Sequence, residues 1–171
     1  MTHRYGLYRA TVTNNVDPLQ IGRVMVEVPE APDMTPSTWA MPCAPLAGDG
    51  MGLFVVPPVG AGVWVQFEAG HVDRPVWMGG WWANAGQIPA LALATDERVP
   101  GDPGIVMQTL LQNAVVLNDA PGPSGGVMLK SAAGATVIVN DTGIFIDNGQ
   151  GARLSLVGPV VSVNDGALEV T

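Results

Sequence analysis

The sequence predicts an all-β protein, with a small closed barrel in its N-terminal part and an intertwined trimeric β-helix or β-prism in its C-terminal part. Short runs in which apolar and polar residues alternate recur along both parts, and this period of two is typical of strands. The 22 glycines and 15 prolines among 171 residues disfavour long helices. The predicted domains are the barrel at residues 1–83, a linker at 84–104 and the prism at 105–171.

The barrel is predicted from five or six short strands within about eighty residues. Proline, asparagine and glycine clusters separate these runs, as expected for turns. Closing so many short strands into a barrel removes the unpaired edges that an open sheet would expose. The strands are predicted over Tyr5–Thr13, Arg23–Val28, Trp39–Met41, Leu53–Val56, Gly62–Glu68 and Pro75–Gly79.

The prism is predicted from a repeated pattern, Val115–Asp119, Val137–Asp141 and Val161–Asp165, whose copies are spaced 22 and 24 residues apart. Further strand runs lie between the copies, so the region reads as a β-solenoid-like array of about seven short strands. An isolated meander of such strands would leave one apolar face in water. Three chains wrapped around one axis would cover that face, so we expect a homotrimer.

The charge content indicates that part of the surface is hidden in an assembly. Charged residues make up 13% of the chain, against about 25% in typical soluble proteins. The formal net charge of −8 and the scattered arginines argue against binding to a phosphate backbone, so no stable nucleic-acid binding is expected. Residues Met1–Asn15 lack the apolar core of a signal peptide, which predicts synthesis in the host cytoplasm.

No credible catalytic set is present in the sequence, and neither an enzyme nor a cofactor is predicted. There is no Gly-x-Ser-x-Gly elbow, no His-Glu-x-x-His motif and no phosphate-binding glycine loop before a helix. Glu68, His71 and Asp73 could be drawn as an acid–base set, but a solvated hairpin loop explains them better. Cys43 follows a proline beside apolar residues and is predicted to be buried.

Four blocks occur in a telling order: Ile21–Val26, Trp39–Pro42, Phe54–Glu68 and Asp73–Gly79. This series resembles the N-terminal OB-fold domain of the phage baseplate assembly protein V family. The VgrG-type spikes of type VI secretion systems and the spikes of extracellular contractile injection systems share that domain. The C-terminal repeats are similar to the trimeric β-helix of the same family.

The resemblance implies a structural central spike at the baseplate of a virion tail or contractile injection particle. Its OB-fold would dock beneath a hub, and its prism would pierce the target cell envelope when the sheath contracts. Because no VgrG-like hub domain precedes the barrel, a separate trimeric baseplate hub protein is implied. The alternative is an OB-fold module that binds an oligonucleotide or a glycan.

Two groups of candidate site residues follow from these expectations. Trp77, Trp81 and Trp82 are predicted to cluster at the end of the barrel, as a hub or subunit interface or, less simply, as a stacking surface. Some spikes of the family end in an iron-binding His-x-His element, which this sequence lacks. The C-terminal end is therefore predicted to dock a separate PAAR-type tip protein through Ala167, Leu168, Glu169, Val170 and Thr171.

The Asn-Asp pairs of the repeats have two interpretations. Asn and Asp side chains cap backbone groups at tight turns, and this is the simpler explanation. Repeated carboxylates near glycines also bind calcium in some solenoids. In a trimer, three copies of Asp165 could meet near the axis, which is the version of the metal hypothesis that a structure can check.

Overall fold

The structure of the chain is a computed structural model that describes residues 3–93 and 104–170, with the side chains of residues 169 and 170 left aside. It confirms the all-β prediction. The chain divides into two compact units, one ending at Ala85 and the other beginning at Gly86. The strands of the first unit are β1 Tyr8–Asn14, β2 Val24–Glu27, β3 Trp39–Pro42, β4 Ala47–Gly48, β5 Met51–Gly52, β6 Gly62–Phe67 and β7 Pro75–Trp81.

Five of these strands close the predicted barrel, in the order β1-β2-β3-β7-β6. The β3–β7 pair is parallel, whereas β6 returns antiparallel to β1 and completes the ring. The alternation in β1 and β6 places small and branched side chains inside, as the period of two requires. The buried core includes Ala10, Val12, Val24, Val26, Ala40, Val63, Val65 and Phe67.

The predicted strand at Leu53–Val56 is wrong. The structure instead has the short hairpin β4–β5 at Ala47–Gly52, after which residues 53–58 lie outside any strand. Leu53 donates its backbone N–H to the carbonyl of Leu46 at 3.0 Å, and the ladder ends there. Pro57 and Pro58 follow, and a proline has no N–H to continue a strand pairing.

The second unit is one open antiparallel sheet, in which each strand pairs with the next along the chain. This meander agrees with the predicted run of short strands, while the β-helix made with further copies stays a prediction. Its strands are β8 Gly104–Gln108, β9 Ala114–Asn118, β10 Gly126–Lys130, β11 Thr136–Asn140, β12 Gly143–Asp147, β13 Arg153–Val157, β14 Val160–Val163 and β15 Leu168–Val170.

The Asn-Asp turns between these strands hold backbone groups. The Oδ1 atoms of Asn118 and Asn140 each accept an N–H two residues ahead at 2.9 Å, and Asn164 accepts the N–H of Arg153 at 3.0 Å. These bonds agree with the turn-capping interpretation. Within residues 3–93 and 104–170, no group of three or more histidine, cysteine, aspartate or glutamate side chains could hold a metal ion.

The predicted linker falls partly outside the described residues. Its described part contains a 3₁₀ turn at Ala85–Gln87 and the four-residue helix α1 at Ala90–Leu93, but residues 94–103 lie outside the description. The proposed domain limits therefore stay predictions. Among the described residues, no helix has the length and apolar character needed to cross a membrane.

Candidate functional site

Strand register gives the sheet of the second unit one face that is apolar along its whole described length. Residues directly opposite each other in neighbouring strands point to the same face. Following the pairs from β8 to β15 gives two apolar side chains on every strand up to β14, followed by Leu168 on β15. This set, the apolar face, is Ile105, Met107, Val115, Leu117, Val127, Leu129, Val137, Val139, Ile144, Ile146, Leu154, Leu156, Val161, Val163 and Leu168.

The apolar face is largely bare in the single chain. Ile105 is 58% exposed at one end of the sheet and Leu168 is 60% exposed at the other, while Ile146 in the middle is 41% exposed. A contiguous apolar surface of this kind marks an interaction site, because a soluble monomer rarely leaves one uncovered. The face is therefore suited to pack against other protein surface.

The opposite face of the same sheet receives bonds from the connections of its own chain. Asn118, Ala114 and Val116 are buried there. The side-chain amide of Asn118 donates to the carbonyl of Ser124 at 3.2 Å, and the amide of Asn140 donates to Pro123 at 3.3 Å. Both of these bonds lie on the face opposite the apolar face.

A β-bulge in β7 places Trp77 and Trp81 on opposite faces of the strand. Val65 pairs with Trp77 and Trp64 pairs with Gly79, so the register slips by one residue at Met78. A slip of one residue moves the following side chains to the other face of the strand. Trp77 consequently packs against the barrel core and donates its indole N–H to the carbonyl of Gly22 at 3.1 Å.

Trp81 lies on the outer side of the barrel, where it meets two partners that the sequence did not indicate. Its ring centroid is 6.4 Å from that of Trp64, and the Arg9 guanidinium lies 5.3 Å from the Trp81 ring and 5.5 Å from the Trp64 ring. Its indole N–H donates to the carbonyl of Val63 at 3.2 Å. Trp82 is exposed and takes no part in this cluster.

The absence of a side chain at Gly62 makes room for this arrangement. Gly62 pairs with Trp81, and a Cβ atom built at that position would lie 2.6 Å from the Trp81 ring. The three predicted tryptophans thus occupy three different environments. Their role at a hub or subunit interface stays a prediction.

The predicted tip residues lie at the last strand of the sheet. β15 pairs with β14 only, so its other edge is open within the described chain. Ala167 and Leu168 are exposed, and Thr171 lies outside the described residues, as do the side chains of Glu169 and Val170. Docking of a tip protein here stays a prediction.

One ion-pair network lies near that end of the sheet. Arg153 donates to Asp147 at 2.7 Å and reaches Asp165 at 3.5 Å. The N–H of Gly149 and the Arg153 guanidinium lower the pKa of Asp147. Asp165 is therefore within reach of Arg153 inside one chain, and a meeting of three Asp165 carboxylates near an axis stays a hypothesis.

The loop between β1 and β2 is organised around one shielded carboxylate. Asp17 accepts the backbone N–H groups of Leu19 and Ile21 at 3.0 Å each, and its side chain is only 4% exposed. Arg23 pairs with it at 2.6 Å and lies 5.2 Å from the ring of Trp39. The Arg23 guanidinium, followed by these N–H groups, holds the pKa of Asp17 well below its usual range.

The residues that could be drawn as an acid–base set lie around a turn. Glu68 begins the 3₁₀ turn Glu68–Gly70, and His71 follows it. The His71 ring lies 5.0 Å from that of His3, in an edge-to-face arrangement. This packing agrees with a structural loop.

A groove of about 900 Å³ opens beside the β4–β5 hairpin, and no motif of the sequence predicts it. Cys43 lines the groove and is exposed, so its predicted burial is wrong. The physical reason is that the chain leaves the barrel after β3, where the Cys43 N–H donates to the carbonyl of Trp77 while its side chain faces the groove. The exposed apolar run Leu53–Val55 was the available signal for this surface.

Comparison with protein families decides what these two units are. Residues 8–82 match the model of the type VI secretion system/phage-baseplate injector OB domain. Residues 104–169 match the model of the phage baseplate V C-terminal trimerisation domain. The chain belongs to the phage baseplate V family. A comparison with curated proteins gave no match.

Membership of the baseplate V family assigns a meaning to the features above. The closed barrel is the OB domain, and the sheet with the bare apolar face is the trimerisation domain. The trimerisation domain supports a homotrimer. Both matches indicate a component of a phage baseplate or injector, located at the tail baseplate, and both domains suggest a structural role.

Proposed function

We propose that the chain is the central spike of a contractile tail baseplate, a non-enzymatic protein that docks beneath a trimeric hub and pierces the target envelope on contraction. The observation that carries this proposal is the apolar face of the trimerisation domain. Three such faces turned towards a common axis would form a dry core that extends through every strand layer.

The dimensions of the sheet support a stiff needle. Eight strands stacked at about 4.7 Å give a prism roughly 38 Å long, with the strands running across its axis. The open edges of β8 and β15 would then form the two ends of the prism. In this arrangement β15 would point towards the target and accept a PAAR-type tip protein.

An OB-fold module that binds single strands or glycans is the competing proposal. The Arg9–Trp64–Trp81 cluster gives it one favourable observation, because aromatic rings and arginine stack on bases. The barrel, however, carries four arginines against seven carboxylates within residues 1–85. A binding groove for a phosphate backbone needs the opposite balance.

The test uses the contractile particle of the source strain. The coding sequence of this chain would be deleted from that strain. The deletion would then be complemented with the wild-type chain or with the Ile146→Asp variant, which places a charge on the apolar face. The proposal expects that deletion abolishes complete baseplates and target killing, and that only the wild-type chain restores them. Particles that assemble and kill without the chain would refute it. Quenching of tryptophan fluorescence by oligonucleotides or glycans would favour the binding module.

A further inference from the structure

The barrel carries a second unpartnered surface, which is the groove beside the β4–β5 hairpin. It is bounded by the segment that follows β3 and by β7, with Trp77 and Met78 on one side. Five residues of the hairpin segment are large, apolar and more than half exposed: Leu46 55%, Met51 59%, Leu53 52%, Phe54 69% and Val55 59%. A patch of this kind on a small domain marks a protein interface.

The groove is also free of charge. The described residues that line it include no aspartate, glutamate, lysine or arginine. The barrel as a whole has four arginines and seven carboxylates within residues 1–85, a formal charge of −3. Two copies of a negatively charged domain approach each other more favourably through a surface without carboxylates, because like charges that lose their water repel. The groove meets this condition.

Each barrel is covalently connected to a trimerisation domain, and this connection brings the barrels of two further copies close to the groove. Once three chains associate through that domain, their barrels are held together at an effective concentration of the order of millimolar. In a closed three-fold ring, each copy contacts the next through two different surfaces, so a groove can receive a distinct part of its neighbour.

We propose that the groove is a contact between neighbouring barrels of the trimer, in which a second copy of this chain covers Phe54 and Cys43. This inference rests on the trimer of the proposed function and adds an interface in the OB domain. Other occupants are outcomes of the test: a hub protein, which a purified sample lacks, or another part of the same chain.

The lone cysteine is a built-in reporter for this interface. Maleimide labelling of Cys43 in the purified full-length trimer should be at least about tenfold slower than labelling of a C43S/S37C variant. This ratio corresponds to a free energy of about 1.4 kcal/mol for opening the interface around Cys43. Ser37 is exposed and does not line the groove. The Phe54→Asp variant should restore fast labelling of Cys43. The matched Val16→Asp variant, at a position 76% exposed and outside the groove, should not.

Photo-crosslinking identifies the occupant. With p-benzoylphenylalanine in place of Phe54, ultraviolet light should produce covalent dimers and trimers whose adducts map to residues 1–85 of a second chain. Adducts within one chain, or Cys43 labelling as fast as in the C43S/S37C variant, would overturn the inference. The mass of the sample separates the two proposals. A monomer contradicts the trimer, whereas a trimer with an open groove contradicts this interface alone.

Discussion

Replacing Ile146 by aspartate should dissociate the trimer. Ile146 lies in the middle of the apolar face, paired with Val137 on β11 and Leu154 on β13. Burying a whole isoleucine side chain contributes about 1.5–3 kcal/mol. Since 41% of Ile146 is still exposed in the single chain, covering it contributes about 1 kcal/mol per chain, or about 3 kcal/mol per trimer.

The introduced charge destabilises the trimer more than the lost apolar contact does. Three carboxylates would meet inside a dry core without partners, and each would cost several kcal/mol of lost hydration. The total, on the order of 10 kcal/mol, corresponds to a weakening of association by about seven powers of ten. At micromolar concentration the Ile146→Asp variant should therefore be monomeric, while the wild-type chain has the mass of three.

A matched control lies on the neighbouring strand. Ser155 pairs with Phe145 on the opposite face, next to Arg153 on its own strand. The Ser155→Asp variant should stay trimeric, because position 155 points away from the apolar face and its carboxylate would lie at a half-exposed position on the same strand face as an arginine. Light scattering after gel filtration measures the mass, and circular dichroism checks that the barrel is folded. A trimeric Ile146→Asp variant, or an equally dissociated Ser155→Asp variant, would show that the apolar face does not hold the trimer together.

Three further predictions concern single contacts. Gly62→Ala should displace Trp81, lowering the melting temperature and shifting the tryptophan emission spectrum; an unchanged spectrum would contradict the packing. Asp17→Asn should lower thermal stability at pH 7. Arg23 depresses the pKa of Asp17 in the folded protein, so the ionised carboxylate contributes its full stabilisation above the unfolded pKa of about 4. This stabilisation is lost as the pH falls towards the folded pKa, and the difference in melting temperature between the wild type and the variant should therefore narrow below about pH 4. A difference that does not change with pH would count against the ion pair. Asn118→Ala should cost about 1–3 kcal/mol in urea unfolding, because it removes two hydrogen bonds that the buried Asn118 side chain makes to the half-buried Ser124 carbonyl and Ala120 N–H; a neutral change would show that these bonds do not matter.

Much of the architecture follows from local alternation. In β13 and β14, apolar side chains alternate with Ser155 and Ser162, and this already places Leu154 and Val163 on one face of a sheet. Short strands and capped turns then leave the meander as the simplest topology. The bare apolar face was predictable for the same reason, since no segment of the sequence offers a second apolar layer to cover it.

The sites on the barrel were less predictable, because small departures from regular geometry decide them. The bulge at Met78 separates Trp77 from Trp81, and periodicity alone cannot locate a bulge. Arg9 meets Trp64 only through the register of two strands that lie far apart in the sequence. The run Leu53–Val56 has the composition of a strand, but the prolines behind it cannot donate to a strand ladder, and Leu53, Phe54 and Val55 are exposed.

An electron cryomicroscopy reconstruction of the assembled baseplate would show directly whether this chain forms a trimeric spike on the tail axis. We expect three copies of the chain on the tail axis, with Ile146 and the rest of the apolar face turned towards that axis and β15 pointing away from the tail tube. A chain located off the axis, or a prism with the apolar face turned outwards, would contradict this expectation.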